Sequence, residues 1–331
     1  MTGSLQDQVH RLLAAEYFPN YATFATTEYG NPKRAPPPAT GWLSLEFLHN
    51  CIHVWTGGDD TKAGMGHMAF LTVAAFDPIF WLHHSNVNRQ LAIFQALKPN
   101  HWFDGGSPEK DETPEAPLHP FHSDANGTLI TSDNVKATTT YGYTYDDLNV
   151  SPAEVQKTVQ KTVNEKYGIL RKHLQANHRL GGKTNDYVIN VQYDRFALNG
   201  RGYAVHFFIK GDVPSAPSQY RAAPNHVGSI HTFPSEYWTA GNANGVDCPN
   251  CQDQQAEGIV SKAQVLITLE LLVRAVSNDD KWSDLDNLEV EHVQQFLEKH
   301  LTWVVIAKVM HGKAGGVRRE DNVVHAAELQ G

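Results

Sequence analysis

Three cysteines in 331 residues are too few for a disulfide framework, and they exclude a zinc ion held by four thiolates. So low a count leans towards a reducing compartment. No apolar run reaches the roughly 18 residues that a membrane span needs. The opening "MTGSLQDQVHRLL" lacks the basic head and apolar stretch of a secretory signal, so a cytoplasmic location is the expectation. Basic charge is also scarce. A net charge of -9 argues against nucleic acid or an anionic membrane as the main partner, since both reward clustered Lys and Arg. Internal repeats are missing. What remains is an ordinary soluble composition, 41% hydrophobic and 19% charged, long enough for two domains with sizeable cores. Histidine is the exception: there are 18, unevenly placed.

Helical spacing dominates the first half. Val9, Leu12, Leu13 and Tyr17 mark a short amphipathic helix within residues 1–20. After the Pro-rich breaker "GNPKRAPPPATG", a second helix is expected from Leu43 to Val54, stopped by Gly57 and Gly58. The third has the clearest start, with Asp77 as N-cap and Pro78 at the first helical position, and it can run to Leu97. Residues 105–120 read as loop and 153–177 as a charged helix, broken by "GGKTND". The period then changes. "DYVINVQY", "YAVHFFIK" and "VLITLELLV" alternate as strands, "DLDNLEVEHVQQFLEKH" returns to helix, and "LTWVVIAKV" closes as a strand. These patterns predict an α+β chain. Its expected parts are a helical portion over 1–150, a linker with a charged helix over 151–185, a β-rich, sandwich-like domain over 186–310 and a tail over 311–331.

The histidines supply the chemistry. "EFLHNCIHVW" sets His49 and His53 four residues apart, which puts their Cβ atoms about 5–6 Å apart on one helical face. On the helix capped by Asp77, Phe80, His84, Val87, Asn88 and Leu91 share a face, while His83 is turned roughly 100° away. By this geometry only one of the adjacent pair aims squarely at a metal held by His49 and His53. Three imidazoles without a thiolate suit copper or zinc.

"HNCIHVWTGG" followed by "DPIFWLHHSNVNR" resembles the copper-B half of tyrosinases, catechol oxidases and molluscan hemocyanins, most of all a fungal tyrosinase. The family pattern Asp-Pro-x-Phe-aromatic-x-x-His falls on Asp77, Pro78, Phe80, Trp81 and His84. The resemblance therefore implies His49, His53 and His84 as copper ligands, with His83 and Phe80 as packing neighbours. It implies that Glu46 and Asn50, one turn apart, position a water that helps deprotonate the phenol. It further implies a small phenolic substrate and O2, with o-quinones leading towards melanin. One departure is visible: the family has Asp where this chain has Asn88, before Arg89, so a charge-assisted bond between those neighbours is replaced by a neutral one at best.

The family's chemistry needs two coppers, each held by three histidines, and the copper-A set lies N-terminal to copper B. Here His10 is the only histidine before His49. The expectation is a chain that begins after its copper-A region and is inactive alone, with a partner chain as one possible source of the missing ligands. His67, in the loop between the two helices, reads as structural or incidental. A copper-binding pseudoenzyme and a mononuclear three-histidine zinc hydrolase are the alternatives. In the C-terminal half, Cys248 and Cys251 form "DCPNC", a redox pair, half of a zinc site, a disulfide or a metal carrier. The resemblance implies copper loading, and soft thiolates favour Cu(I). Cys51 reads as a small buried residue. By the same resemblance Phe233, with Tyr237 and Trp238 close behind, is the candidate aromatic plug over the active site.

Overall fold

The computed structural model describes residues 5–14, 18, 20–30, 41–58, 66–71, 73–104, 113–168, 185–197, 202–233, 254–277, 279–307 and 323–324. In the first half, α1 (Leu5–Leu13), α2 (Tyr21–Ala25), α3 (Leu45–Gly57), α4 (Pro78–Leu97), the single turn α5 (Ser132–Val135) and α6 (Val155–Tyr167) form the helical part. α3 starts where Ser44 Oγ accepts the Phe47 N–H at 3.2 Å. α4 starts where Asp77 Oδ1 accepts the Ile79 N–H at 3.1 Å, one residue ahead of Pro78. α1 buries Val9, Leu12 and Leu13, and α6 packs on it and on α4 through Val159 and Val163. The charged helix expected over 153–177 is helical from Val155 to Tyr167; residues 169–184 lie outside the described part. The stretch expected as loop up to residue 120 contains an exposed strand, β2 (Pro117–His122), paired with β3 (Leu129–Thr131). Its two prolines hide it in the sequence, yet proline is tolerated in a strand that lies at a sheet edge.

Two antiparallel sheets make up the second half. In the first, β7 (Val260–Leu266) lies between β1 (Glu28–Gly30) and β4 (Val188–Tyr193). In the second, the order is β6 (His226–His231), β5 (Tyr203–Ile209), β8 (Leu301–Ala307) and β9 (Val323–Val324). Every residue of β5 is buried, as its central place requires. The sheets meet at Gly228 of β6, where an added Cβ would overlap the Val265 side chain of β7. This is the sandwich-like arrangement expected from the alternating strands. The described helices include none long and apolar enough to cross a membrane.

One strand assignment fails. "VLITLELLV" splits: β7 ends at Leu266, and Thr268–Ala275 is a helix, α7. The run is apolar at both periods, so alternation alone misleads. Burial decides it. Thr268, Leu271, Leu272 and Ala275 follow the helical spacing, and Val273, inward in the strand reading, is 56% exposed. Glu270 and Arg274 pair at 2.6 Å across one turn, a contact only a helix supplies. The helix α8 (Val290–His300) and strand β8 match expectation.

A single hydrophobic cluster runs from Leu12, Phe47 and Phe94 to Phe207, Ile230, Val265 and Phe296, so the helical part and the sheets share their core. Arg11 adds an ion pair to Asp186, and Arg195 lies 3.9 Å from Glu46.

The sheet also buries two histidines against each other. His206 Nδ1 and His226 Nε2 are 3.1 Å apart, and each residue is 3% exposed. Burial holds both well below the ordinary imidazole range, helped by the nearby Arg221 guanidinium. In the unfolded chain they take up protons near pH 6.5, whereas in the folded chain they stay neutral to much lower pH. The unfolded state therefore binds more protons in that window, and stability falls as pH drops below about 6.5, by up to about 1.4 kcal/mol per unit per histidine. Urea unfolding of the copper-free chain between pH 7 and 5 is expected to show a slope to which this pair contributes, and His226→Gln to reduce it. An equal slope in the variant would remove His226 as a contributor.

Candidate metal centre

α3 and α4 cross with their histidines facing each other. His49 and His53 rings are 4.5 Å apart between centres, and His84 Nε2 comes within 3.1 Å of His49 Nε2. Each of the three rings is tied down through its other nitrogen. His49 Nδ1 lies 3.0 Å from Asn50 Oδ1, His53 Nδ1 2.8 Å from the Met68 carbonyl, and His84 Nδ1 2.7 Å from the Phe80 carbonyl. A carbonyl oxygen can only accept, so Nδ1 carries the hydrogen in His53 and His84, and the Asn50 amide oxygen imposes the same form on His49. In all three the lone pair is then on Nε2. That is the form in which a metal-binding histidine is presented, oriented by a hydrogen bond at its far nitrogen. Burial holds His49 below its ordinary pKa and brings His53 down to about 4, so both are neutral and able to bind a metal at pH 7.

Placement of the other candidate residues is mixed. Phe80 packs on His84 at 3.9 Å between ring centres. His83 is not turned away as the helical-face geometry predicts. It is 8% exposed, 5.0 Å from His49 and 5.1 Å from His53 between ring centres, and its ligand atom groups with theirs within 4.8 Å. The ligand atoms that lie within 4.8 Å of one another are thus those of His49, His53 and His83, while His84 joins the cluster through the contact of its Nε2 with His49 Nε2. Asn50 orients His49. Glu46 Oε2 accepts from Thr26 Oγ1 at 2.9 Å and from the Thr27 N–H at 2.8 Å, leaving Oε1 to face Arg195. Arg89 does not turn to its neighbour Asn88. Its Nε donates to Asp147 Oδ2 at 2.6 Å, Lys166 meets the other oxygen at 3.0 Å, and Asn88 is exposed on α4. His67 is exposed, and Cys51 is fully buried as expected. Cys248, Cys251, Tyr237 and Trp238 lie outside the described residues.

Phe233, just after β6, stacks on His53 with ring centres 4.6 Å apart and planes 29° apart, and lies 6.3 Å from His49. β6 packs against α3, which carries the phenyl ring to the histidine cluster. Two contributors escaped the sequence reading, the Met68 carbonyl and Asp147. "GMGHM" beside a histidine helix hints at the first; nothing local signals the second.

The common central domain of tyrosinase matches residues 2–97, and the tyrosinase C-terminal domain matches residues 186–318. The chain belongs to the tyrosinase family. It is 34% identical over 318 residues to a tyrosinase of Aspergillus fumigatus, covering 92% of this chain and 48% of that one. Polyphenol oxidase 2 of Agaricus bisporus is 28% identical over 294 residues, covering 80% and 48%. An oxygen-bound pro-tyrosinase variant of Aspergillus oryzae superposes with a TM-score of 0.61 at 26% identity, covering 92% of this chain and 48% of that chain. The holo-protyrosinase of the same organism gives 0.62 at 26% identity, covering 91% and 46%. This tyrosinase-family chain thus spans about half the length of the relatives it matches.

Gly57 generates a test of how the site is held. An added Cβ would overlap the Ala69 backbone nitrogen, and residues 67–69 form the turn whose Met68 carbonyl fixes His53. Gly57→Ala is expected to destabilise the chain by about 1–3 kcal/mol. It should also weaken metal binding roughly 10–100-fold by releasing the His53 ring. Urea unfolding and chelator competition read the two effects; unchanged metal affinity would show that the turn does not orient His53.

Proposed function

We propose that this chain binds copper through Nε2 of His49, His53 and His84 and supplies the copper-B half of a tyrosinase-type oxidation of monophenols and catechols to o-quinones. The three matching tautomers carry this reading: each Nδ1 is spent on an oxygen acceptor, so three lone pairs remain for one ion. Bound copper would supply redox chemistry with O2. The protein's own residues do the rest. Asn50, Met68 and Phe80 orient the ligands, and burial keeps His49 and His53 neutral. Phe233 covers the His53 face, so in this arrangement a phenol cannot stack there. That supports a role as a plug held by the C-terminal half. Glu46 retains only Oε1 for a water, since Oε2 is held by Thr26 and Thr27.

The second set of ligands is proposed to come from a helical segment outside this chain. Phe76, Ile79, Trp81 and Leu82 are exposed by 40–79% around the start of α4, the helix that carries His83 and His84. So much apolar surface beside a metal cluster supports docking of such a segment, and the relatives are about twice as long.

Metal analysis after expression with copper and zinc both available is expected to give one copper per chain, and catechol oxidation close to background. Zinc in its place would favour hydrolytic chemistry; two coppers with rapid quinone formation would overturn the half-site reading. Co-expression with a three-histidine helical half of a fungal tyrosinase should restore oxidation, and Trp81→Glu should abolish that restoration. Phe233→Ala is expected to open the copper to azide, read as a tighter azide-induced change in the Cu(II) spectrum; equal azide affinity in both forms would count against the plug.

A further inference from the structure

The start of α3 is seated by contacts that reach into the C-terminal sheet. Glu46 stands in its first turn, ahead of His49. Its Oε2 accepts from Thr26 Oγ1 at 2.9 Å and from the Thr27 N–H at 2.8 Å. The same short segment is held from the other side by β7. The Lys262 N–H donates to the Thr27 carbonyl at 2.7 Å, Lys262 Nζ donates to the Thr23 carbonyl at 3.4 Å, and Ser261 is in register with Glu28 of β1. Residues 23–28 are therefore gripped between a carboxylate on the metal-binding helix and a lysine of the C-terminal half.

Lys262 is an unusual residue to find there. It is 2% exposed, and lysine is almost never so deeply buried unless its charge is answered nearby. Burial brings its pKa from 10.5 down to about 8, against the opposing pull of the Glu46 and Glu28 carboxylates. Those are the charged groups that face it, Glu46 from α3 and Glu28 from β1. Arg195, just after β4, faces Glu46 at 3.9 Å. Between about pH 8 and 10.5 the unfolded chain holds more protons than the folded one, so stability rises with pH across that window. At pH 7 the buried ammonium therefore costs the fold stability, and an uncharged chain of similar length would pack there without that cost. Holding the core together is not its role. What it does hold is the Thr23 carbonyl and the charge of Glu46.

We propose that Lys262 is a positioning residue of the metal centre: through residues 23–27 and Glu46 it fixes the seat of α3, and so the approach of His49 to His84. The inference rests on the copper reading above and names the C-terminal side chain that supports it. α3 carries His49 and His53, and His49 Nε2 stands 3.1 Å from His84 Nε2, so a small shift of α3 changes the ligand geometry directly. Neutralising the ammonium removes one of the two cations that face Glu46, while the backbone bond from Lys262 to Thr27 remains. The geometry at the metal therefore responds to a charge carried by the other half of the chain.

The test loads the full chain, Lys262→Met and Lys262→Arg with Cu(II), and reads the electron paramagnetic resonance spectrum and chelator competition from pH 7 to 9. The wild-type spectrum is expected to shift with a midpoint near pH 8. Lys262→Met should show at pH 7 the spectrum that wild type reaches at pH 9, with roughly tenfold weaker copper binding. Lys262→Arg, whose charge persists throughout, should keep the wild-type pH 7 spectrum up to pH 9. Urea unfolding of the copper-free proteins at pH 7 should find Lys262→Met at least as stable as wild type, which a merely structural role does not allow. A wild-type spectrum and affinity in Lys262→Met, or a pH shift that survives in it, would overturn the positioning role while leaving copper binding intact. Loss of fold in Lys262→Met would overturn it too. A wild-type chain that binds no copper removes the copper reading alone, and the copper-free chain then decides the other. Ring 15N signals of His49 and His53 that move in Lys262→Met support positioning, and unchanged signals refute it.

Discussion

Nδ1–H groups aimed at oxygen decide what this cluster can do. An imidazole has one hydrogen to place and two nitrogens to place it on, and an unrestrained ring samples both. Once Met68 and Phe80 offer carbonyls and Asn50 an amide oxygen, the choice is made for His53, His84 and His49. Three Nε2 lone pairs are then set before any ion arrives, with the Nε2 atoms of His49 and His84 3.1 Å apart. The backbone does most of this orienting. Phe80 lies one turn before His84 on α4, so its carbonyl is placed by the helix itself. Met68 is placed by a turn that can approach α3 only because Gly57 has no side chain.

Such an arrangement depends on the rest of the fold. Burial, with a smaller contribution from the neighbouring imidazoles, brings His53 and His83 down to pKa values of about 4 and about 3, so both are neutral at pH 7. The opposite face of α3 anchors the cluster. Phe47, Leu48, Cys51 and Val54 are buried in the core that continues through Ile230 and Val265 into the sheets. The C-terminal half is therefore more than a cover. It supplies part of the packing that holds α3, and through β6 it also places Phe233 on His53.

How much of this could be read from the residues depends on whether the deciding interaction is local. α4 was legible to the residue, because Asp77 and Pro78 carry their own start signal within two positions. The His49–His53 pair was legible because helical geometry fixes the distance between i and i+4. Residues 268–275 were not, because leucines at mixed spacing satisfy two periods and only the buried partners choose between them. β2 was masked by its prolines. The Met68 carbonyl has no signature beyond the glycines of the turn that carries it, since every residue has a carbonyl. Only the direction of His83 was misread, and for a geometric reason: an angle around one helix says where a side chain leaves the axis, and its distance from a second crossing helix cannot be derived from it.

Arg89, beside the exposed Asn88, is held at long range. Adjacent positions on a helix do not face each other, and the guanidinium engages Asp147, 58 residues further on, along with the Tyr167 hydroxyl at 3.1 Å. Lys166 completes the charge balance around that carboxylate, which burial would otherwise penalise and which the two cations hold below its usual range. α4 is thereby pinned to α6 instead of to itself. A carboxylate far from the histidine motif in sequence thus takes part in holding the helix that carries His83 and His84.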